Sequence, residues 1–226
     1  MKIKYIIIVA GGKGIRTGWD LPKQFLLLNG RPVLMHTISA FYDFDPQIHI
    51  ILVLPKDYTG YWSQLCVDFK FDISYQIVSG GDTRFQSVKN GLEKVERGAL
   101  VGVHDGVRPL IDQQLISKLY KTASEKKGAY PVIPLIDSIR ELDDKEESHA
   151  VDRSKYRLVQ TPQVFWSDIL IDAYNQKYRD DFTDDVSVVE AAQIIRPAMI
   201  EGNPDNIKIT AAVDLMIAET IIKCRI

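Results

Sequence analysis

Apolar runs bounded by turn residues recur along the chain and alternate with stretches of helical spacing. The apolar runs occupy residues 3–10, 48–54, 73–78 and 100–103. Continuous runs of this length are typical of parallel strands that are covered by helices on both sides. The pattern therefore predicts an α/β fold, with a mostly parallel sheet and helices on both faces.

Two helices between the strands are predicted from spacing and capping residues. Asp82 precedes the first as its N-cap, and Asp112 precedes the second, which Gly128 is expected to end. The apolar stripes are Phe85, Val88, Leu92 and Val95 in the first helix, and Leu115, Ile116 and Leu119 in the second.

Residues 137–160 depart from this alternation. Two short strand-like pieces flank a polar run at residues 143–148, which predicts a β-hairpin arm that leaves the body of the domain. The chain returns through residues 194–201 and 206–210 to a final helix. That helix carries Val213, Met216, Ile217 and Ile221 on one side.

Composition narrows the classes of function. A chain of 226 residues with 46% hydrophobic content predicts a single domain, residues 1–226, around one core. A net charge of −2 offers no broad positive field, so neither nucleic acid nor a membrane is expected as a partner. Cys66 and Cys224 lie outside any CxxC pattern, which favours reduced thiols and a cytoplasmic location over a disulfide or zinc site. The first apolar run is too short for a membrane span.

A glycine-rich loop, AGGKGIR at residues 10–16, follows the first predicted strand. Glycines let backbone N–H groups approach phosphate oxygens closely. The dinucleotide fingerprint fails because Thr17 stands at its third glycine position, and no Gly-Lys-Ser/Thr closes a phosphate-loop motif. Between residues 11 and 23, Lys13, Arg16 and Lys23 outnumber Asp20. This local excess of cations indicates a polyphosphate site, although a solvated basic loop remains an alternative here.

Residues 21–25 (LPKQF) complete a signature of nucleotidyltransferases that activate sugar phosphates. Six further segments resemble the 2-C-methyl-D-erythritol 4-phosphate cytidylyltransferase family of the non-mevalonate isoprenoid pathway, in the family's order and over nearly the whole chain. They are GGDTRFQSV at 80–88, VHDGVRP at 103–109, VDR at 151–153, QTPQ at 160–163, TDD at 183–185 and NIKIT at 206–210. The resemblance implies a Rossmann-like fold of the nucleotide-diphospho-sugar transferase type and transfer of a cytidylyl group from CTP to a polyol phosphate.

The same resemblance implies roles for individual residues. Arg16, Lys23, Lys208 and Arg153 would be catalytic, and Asp105 would hold Mg²⁺ or another hard divalent cation. The nucleotide would be bound by Ala10, Gly11, Gly12, Gly14, Gly80, Asp82, Ser87 and Gly106. The polyol phosphate would be bound by Asp105, Arg108, Ser138, Arg153 and Thr161.

Arg153 lies on the predicted arm, which has no core of its own to join. In the family this arm embraces a second subunit, so the resemblance implies a homodimer formed through residues 137–160. The chain departs from the family pattern at Ile15, Gly106 and Ser138, where arginine, alanine and threonine are common. These departures predict altered affinity more than lost activity.

Two alternatives remain open from the sequence. A sister enzyme of the same fold would use ribitol 5-phosphate, although residues 80–84 and 183–185 favour methylerythritol phosphate. A non-catalytic nucleotide-binding module is disfavoured because it would not need Arg16, Lys23, Asp105 and Lys208 together.

Overall fold

A mixed sheet of eight strands forms the centre of the computed structural model, which describes residues 2–12 and 21–225. The strands of the described residues are β1 (Lys4–Val9), β2 (Leu27–Leu28), β3 (Arg31–Pro32), β4 (His49–Leu54), β5 (Gln76–Ser79), β6 (Leu100–Asp105), β7 (Gly128–Pro134), β8 (Arg140–Leu142), β9 (Ser148–Ala150), β10 (Arg157–Val159), β11 (Gln163–Trp166) and β12 (Ala198–Glu201). Among them, β2 with β3 and β8 with β9 form separate two-stranded sheets, and the other eight form the central sheet. The helices are α1 (Val33–Phe44), α2 (Thr59–Asp68), α3 (Arg84–Leu92), α4 (Gln113–Lys126), α5 (Ser167–Ala173), α6 (Asp185–Ala191) and α7 (Ala212–Cys224).

The parallel half of the sheet consists of β6, β1, β4 and β5, in that spatial order. These are the strands that the apolar runs predict, although β5 begins at Gln76, three residues after the predicted start. β11 then pairs antiparallel with both β6 and β7, and β12 runs parallel to β7. The predicted fold class is confirmed, with antiparallel pairing at one side of the sheet that the apolar runs did not indicate.

Side chains of the central strand β1 alternate between two hydrophobic layers. Ile6 and Ile8 are fully buried in a cluster with residues of α1, α2 and α4. Tyr5 and Ile7 point into a second cluster with residues of α3, α5 and α6. The predicted arrangement, with helices on both faces, follows from this two-residue period of β1.

The ends of α3 differ from the prediction. Thr83, and not Asp82, is the N-cap, and its hydroxyl accepts a hydrogen bond from the Gln86 N–H at 3.0 Å. The predicted cap was wrong by one residue, because either side chain suits the position and the backbone alone decides between them. α3 ends at Leu92, so Val95 contributes its buried side chain from the following turn.

The N-cap of α4 is confirmed, because Asp112 Oδ1 accepts a hydrogen bond from the Leu115 N–H at 2.7 Å. The C-cap is Lys127, in the left-handed region with φ of 71°, so the prediction that Gly128 ends the helix was wrong. Gly128 already belongs to β7, where a Cβ atom would lie 2.8 Å from Cδ1 of Phe165. Close packing therefore explains this glycine.

The arm is shorter than the predicted range 137–160. β8 and β9 form an antiparallel hairpin, as predicted, but β10 pairs with β7 and so belongs to the main sheet. Residues 206–210 form no strand. In α7, Val213, Met216 and Ile217 are exposed, and Ala218 is the buried residue. No helix formed by the described residues has the length and apolar character needed to cross a bilayer.

The two candidate caps of α3 predict opposite results. Thr83→Ala removes the hydroxyl that accepts from Gln86, so we expect the free energy of unfolding to fall by about 1 kcal/mol. Asp82→Ala removes no cap and should leave it within about 0.5 kcal/mol. Urea denaturation of both variants measures the difference, and the reverse order would contradict the assignment of the cap.

Candidate active site

A cavity of about 510 Å³ opens at the carboxyl edge of the parallel strands. In open α/β sheets this edge is the usual place for a ligand. The cavity combines residues from both ends of the chain, namely Val9, Ala10, Gly11, Gly12, Lys23, Gln24, Gly81, Asp82, Thr83, Arg84, Ser87, Asp105, Val107, Lys208 and Ile209. Among the predicted site residues, it thus brings together Ala10, Gly11, Gly12, Lys23, Asp82, Ser87, Asp105 and Lys208.

Gln24 holds the start of the glycine-rich loop, a role that the sequence did not reveal. Its side chain is buried, and Nε2 donates to the carbonyls of Ala10 at 2.7 Å and Gly12 at 3.4 Å. Both carbonyl oxygens are thereby engaged by the protein. Gly14 and Arg16, two residues predicted for this site, lie outside the described residues.

One wall of the cavity is formed by the turn between β5 and α3. Gly80 N–H donates to Leu54 O at 2.8 Å, which fixes the turn to the end of β4. Gly81 N–H donates to Ser87 Oγ at 3.1 Å. A Cβ at Gly81 would lie 2.2 Å from Cγ of Gln86, so only glycine fits there. The resulting narrow wall of backbone groups, one hydroxyl and the Asp82 carboxylate suits a small polar heterocycle.

Asp105, the last residue of β6, is the buried carboxylate of the site and is 7% exposed. Its Oδ2 lies 3.0 Å from Lys208 Nζ and 3.2 Å from Arg108 Nε, and its Oδ1 lies 3.7 Å from Arg84 Nε. Burial by itself would raise the pKa of Asp105, but attraction to Arg84, Lys208 and Arg108 is stronger and holds this pKa well below its ordinary value. Asp105 is therefore ionised at every physiological pH.

Lys23 and Lys208 bring positive charge to the same cavity from distant parts of the chain. Lys23 Nζ donates to the carbonyl of Thr210 at 3.1 Å, two residues from Lys208. The Lys208 side chain is 45% exposed. Both ammonium groups are partly solvated and sit on flexible side chains, so both can contact a polyanion that enters the cavity.

Arg84 is a further residue of the site that the sequence analysis did not assign. Nη1 and Nη2 donate to the two oxygens of Asp185 at 3.1 and 2.7 Å. Burial acts to lower the pKa of Arg84, but Asp185 and Asp105 raise it well above its ordinary value. The available signal was a cation in the first turn of α3, directly after the turn that forms one wall of the cavity.

Other predicted residues lie behind the cavity wall. Thr161 is buried, and its Oγ1 accepts the Asp105 N–H at 3.1 Å and lies 3.0 Å from His104 Nδ1. Arg108 Nη1 donates to Asn206 O at 2.9 Å. Gly106 N–H donates to Val9 O at 2.8 Å, and a Cβ there would lie 2.9 Å from that of Ala10. These residues support the position of Asp105 and of the loop.

Ser138 and Arg153 are exposed and do not line the cavity of their own chain, as far as the described residues define it. Arg153 Nη1 donates to the carbonyl of Ile136. Their predicted roles in binding the polyol phosphate remain predictions.

The cavity offers a divalent cation the Asp105 carboxylate but no enclosing set of ligands among the described residues. The described residues hold no cluster of three or more His, Cys, Asp or Glu side chains that would enclose a metal. Asp105 offers one hard carboxylate, and its Oδ1 accepts no hydrogen bond from the described residues. This donor set suits Mg²⁺ held by one carboxylate together with the phosphates of a substrate.

The chain is similar over nearly its whole length to one protein family. Residues 4–224 match the family model described as IspD: 2-C-methyl-D-erythritol 4-phosphate cytidylyltransferase. A relative with that name from Azobacteroides pseudotrichonymphae is 54% identical and covers 98% of this chain and 100% of its own. The relative from Phocaeicola vulgatus is 51% identical and covers 97% and 99%, respectively.

Solved structures show the same likeness. The 4-diphosphocytidyl-2C-methyl-D-erythritol synthase of Anaerococcus prevotii superposes with a TM-score of 0.83 at 26% identity, over 98% of this chain and 96% of that one. The 2-C-methyl-D-erythritol 4-phosphate cytidylyltransferase of Thermus thermophilus gives a TM-score of 0.78 at 28% identity, over 99% and 100%.

His104 makes the stability of the unligated protein depend on pH. Burial lowers the pKa of His104 from 6.5 to about 4. As the pH falls below 6.5, the unfolded chain binds a proton that folded His104 does not accept until about pH 4. We expect the free energy of unfolding to decrease over this window, by on the order of 3 kcal/mol from this residue.

Urea denaturation of wild type and His104→Asn between pH 7 and 4 measures this contribution. The variant should show a flatter pH dependence, whereas the exposed His149→Asn should keep the wild-type slope. Equal slopes in all three proteins would show that another group titrates in this window.

Proposed function

The chain belongs to the 2-C-methyl-D-erythritol 4-phosphate cytidylyltransferase family, and from this premise we propose that its cavity at the carboxyl edge of the sheet is where CTP and the polyol phosphate react. The enzyme transfers the cytidylyl group of CTP to 2-C-methyl-D-erythritol 4-phosphate and releases pyrophosphate, a step of non-mevalonate isoprenoid biosynthesis. The observation that carries the proposal is one cavity that combines the glycine-rich loop, a polar wall for a base, two lysines and a buried carboxylate. Its location in the cytoplasm stays a prediction of the sequence.

We place the cytosine against Gly80, Asp82 and Ser87, where a pyrimidine finds a narrow polar wall. Ala10, Gly11 and Gly12 then lie beside the ribose and the phosphates. Lys23 and Lys208, which line the cavity, face the triphosphate. The sequence predicts that Arg16 of the glycine-rich loop joins them. Charge-assisted hydrogen bonds are worth about 1.5–3 kcal/mol each, so a few of them suffice to hold a triphosphate.

The reaction is an in-line displacement at the α-phosphorus. An oxygen of the acceptor phosphate forms the new bond to phosphorus, and the bond to the β-phosphate oxygen breaks, so that pyrophosphate leaves with the electron pair. A phosphate near neutral pH is already anionic, and no general base is needed. The chain's task is to align the two phosphates and to stabilise the negative charge of the transition state with Lys23 and Lys208.

Mg²⁺, when bound, would neutralise phosphate charge, with Asp105 as its ligand from the protein. Arg108 contacts the same carboxylate through Nε and donates to Asn206 O through Nη1, so its guanidinium is held directly behind Asp105. We assign Arg108 to the acceptor phosphate on the family resemblance.

We propose that a second copy of the chain completes the site. The β8–β9 hairpin is exposed along its whole length, and a run of exposed apolar side chains extends from it along the chain, namely Ile136, Leu142, Tyr156, Leu158 and Val159. Exposed apolar surface of this extent is typical of a protein interface. Arg153 lies within this surface, and on the family resemblance we propose that the dimer brings it to the partner's cavity.

Lys23→Ala and Lys208→Ala should each reduce kcat roughly 100-fold or more, because each removes a cation that stabilises the negative charge of the transition state. Release of pyrophosphate from CTP and Mg²⁺ is the measurement, with 2-C-methyl-D-erythritol 4-phosphate as acceptor and ribitol 5-phosphate as comparison. Lys126→Ala, an exposed lysine at the far end of α4, is the matched control and should keep wild-type turnover. Near-normal turnover of either site variant would refute its catalytic role.

If Arg153 acts in the partner's site, a heterodimer of Lys23→Ala and Arg153→Ala chains should be active although both homodimers are not. One of its two sites then has an intact lysine and an intact arginine, so about half the wild-type turnover per dimer is expected. Chains with two different affinity tags allow the heterodimer to be purified and assayed. An inactive heterodimer would mean that Arg153 serves its own chain, and an active Arg153→Ala homodimer would remove it from the mechanism.

A further inference from the structure

Arg84, which lines the cavity and has a side chain that is 27% exposed, forms an ion pair with Asp185. Asp185, the first residue of α6, is fully buried and receives both terminal nitrogens of Arg84, the first residue of α3. Tyr174 Oη also donates to Asp185 Oδ1, at 2.6 Å. An ionised carboxylate without solvent is stable only when it is paired and hydrogen-bonded in this way.

The third nitrogen of the same guanidinium faces the reaction site. Arg84 Nε lies 3.7 Å from Asp105 Oδ1, so the planar group presents two nitrogens to Asp185 and one edge to Asp105. Because Asp185 fixes the plane of the Arg84 guanidinium, it also fixes how that positive group is oriented toward the Asp105 carboxylate.

Arg84 differs from the other two cations on Asp105. Lys208 is partly solvated, and both Lys208 and Arg108 are assigned above to substrate phosphates. When substrates attract these two groups, Arg84 remains next to Asp105, because its two terminal nitrogens are held by the fully buried Asp185. We propose that the Arg84–Asp185 pair is a positioning device that holds the Asp105 carboxylate in its reactive orientation while Lys208 and Arg108 engage the substrates.

Asp185 also compensates charge. A lone guanidinium at this distance from Asp105 would repel a divalent cation bound there, but the pair as a whole is close to neutral. The pair therefore orients the carboxylate without weakening the affinity of the site for a metal–nucleotide complex. This inference rests on the proposed role of Asp105.

The position of α3 does not depend on this ion pair alone. Phe85 stacks on Tyr174 with ring centroids 4.6 Å apart and on Phe182 at 5.7 Å, and Val88 is fully buried. We therefore expect the base-facing wall to keep its place when the pair is broken. The loss should appear in kcat and not in the KM for CTP.

The test uses Arg84→Met, Arg84→Lys and Asp185→Asn in the full-length enzyme. For Arg84→Met we expect kcat to fall roughly 10- to 100-fold, with the KM for CTP within about threefold of wild type. Arg84→Lys keeps the charge and should recover part of that loss. For Asp185→Asn, calorimetric titration with CTP should show that Mg²⁺ improves binding less than in wild type, because the uncompensated guanidinium opposes the metal.

Asp45→Asn is the matched control, since it breaks the partly buried Lys4–Asp45 pair on the opposite edge of the sheet. It should change thermal stability but neither kinetic constant. An unchanged kcat in Arg84→Met, or a raised KM for CTP at constant kcat, would reduce the pair to a structural role and overturn the proposal. If Arg84→Met does not fold, kcat and KM of Arg84→Lys decide by the same criteria. Failure of the proposed function has a different signature, namely full turnover in Lys23→Ala.

Discussion

The charge balance around Asp105 is the interaction on which the rest of the site depends. A carboxylate buried at the end of a central strand is stable only if cations meet it, and here they come from Arg84, Arg108 and Lys208. These residues belong to a helix start, a loop after β6 and a segment near the end of the chain. Bringing them to one carboxylate requires that the sheet, α3 and the returning chain are all in place, so folding and assembly of the site are one event.

The parallel half of the sheet explains why the ligand-facing groups converge. β1 and β6 pair in register, so Val9 and Asp105 are neighbours at the same edge, and the loop after β1 starts beside the carboxylate. Gln24 ties that loop to the body through the Ala10 carbonyl, and Thr161 ties Asp105 through its N–H. A polar residue behind each of these two elements thus holds the backbone in place, so the backbone does not depend on Lys23 or Lys208 for its position.

Periodicity in the sequence predicted the elements that bury large apolar faces. It failed where the structure depends on the identity of a single residue or on a contact with a residue far along the chain. The parallel strands and the helices at Val88 and Ile116 were predictable because their apolar residues repeat at the period of the element.

The cap of α3 was misplaced because Asp82 and Thr83 are both good caps. The pairing of β10 with β7 was hidden because all three residues of β10 are exposed. Arg84 was missed because its partner is 101 residues away. Motif resemblance, and not periodicity, identified Lys208.

In the proposed dimer, the β8–β9 arm would connect assembly to catalysis. A two-stranded hairpin alone is marginally stable in water, and β8 and β9 bury no residue against their own domain. Within one chain, the hairpin is therefore stabilised by few side-chain contacts, chiefly those of Arg140 with Ser148. A second chain packed against Ile136 and Leu142 would supply the missing apolar contacts and at the same time bring Arg153 to a cavity that has no arm residue from its own chain among the described lining. The same buried surface would then stabilise the dimer and complete the acceptor side of the site, so that a lone chain would bind nucleotide without being able to use it.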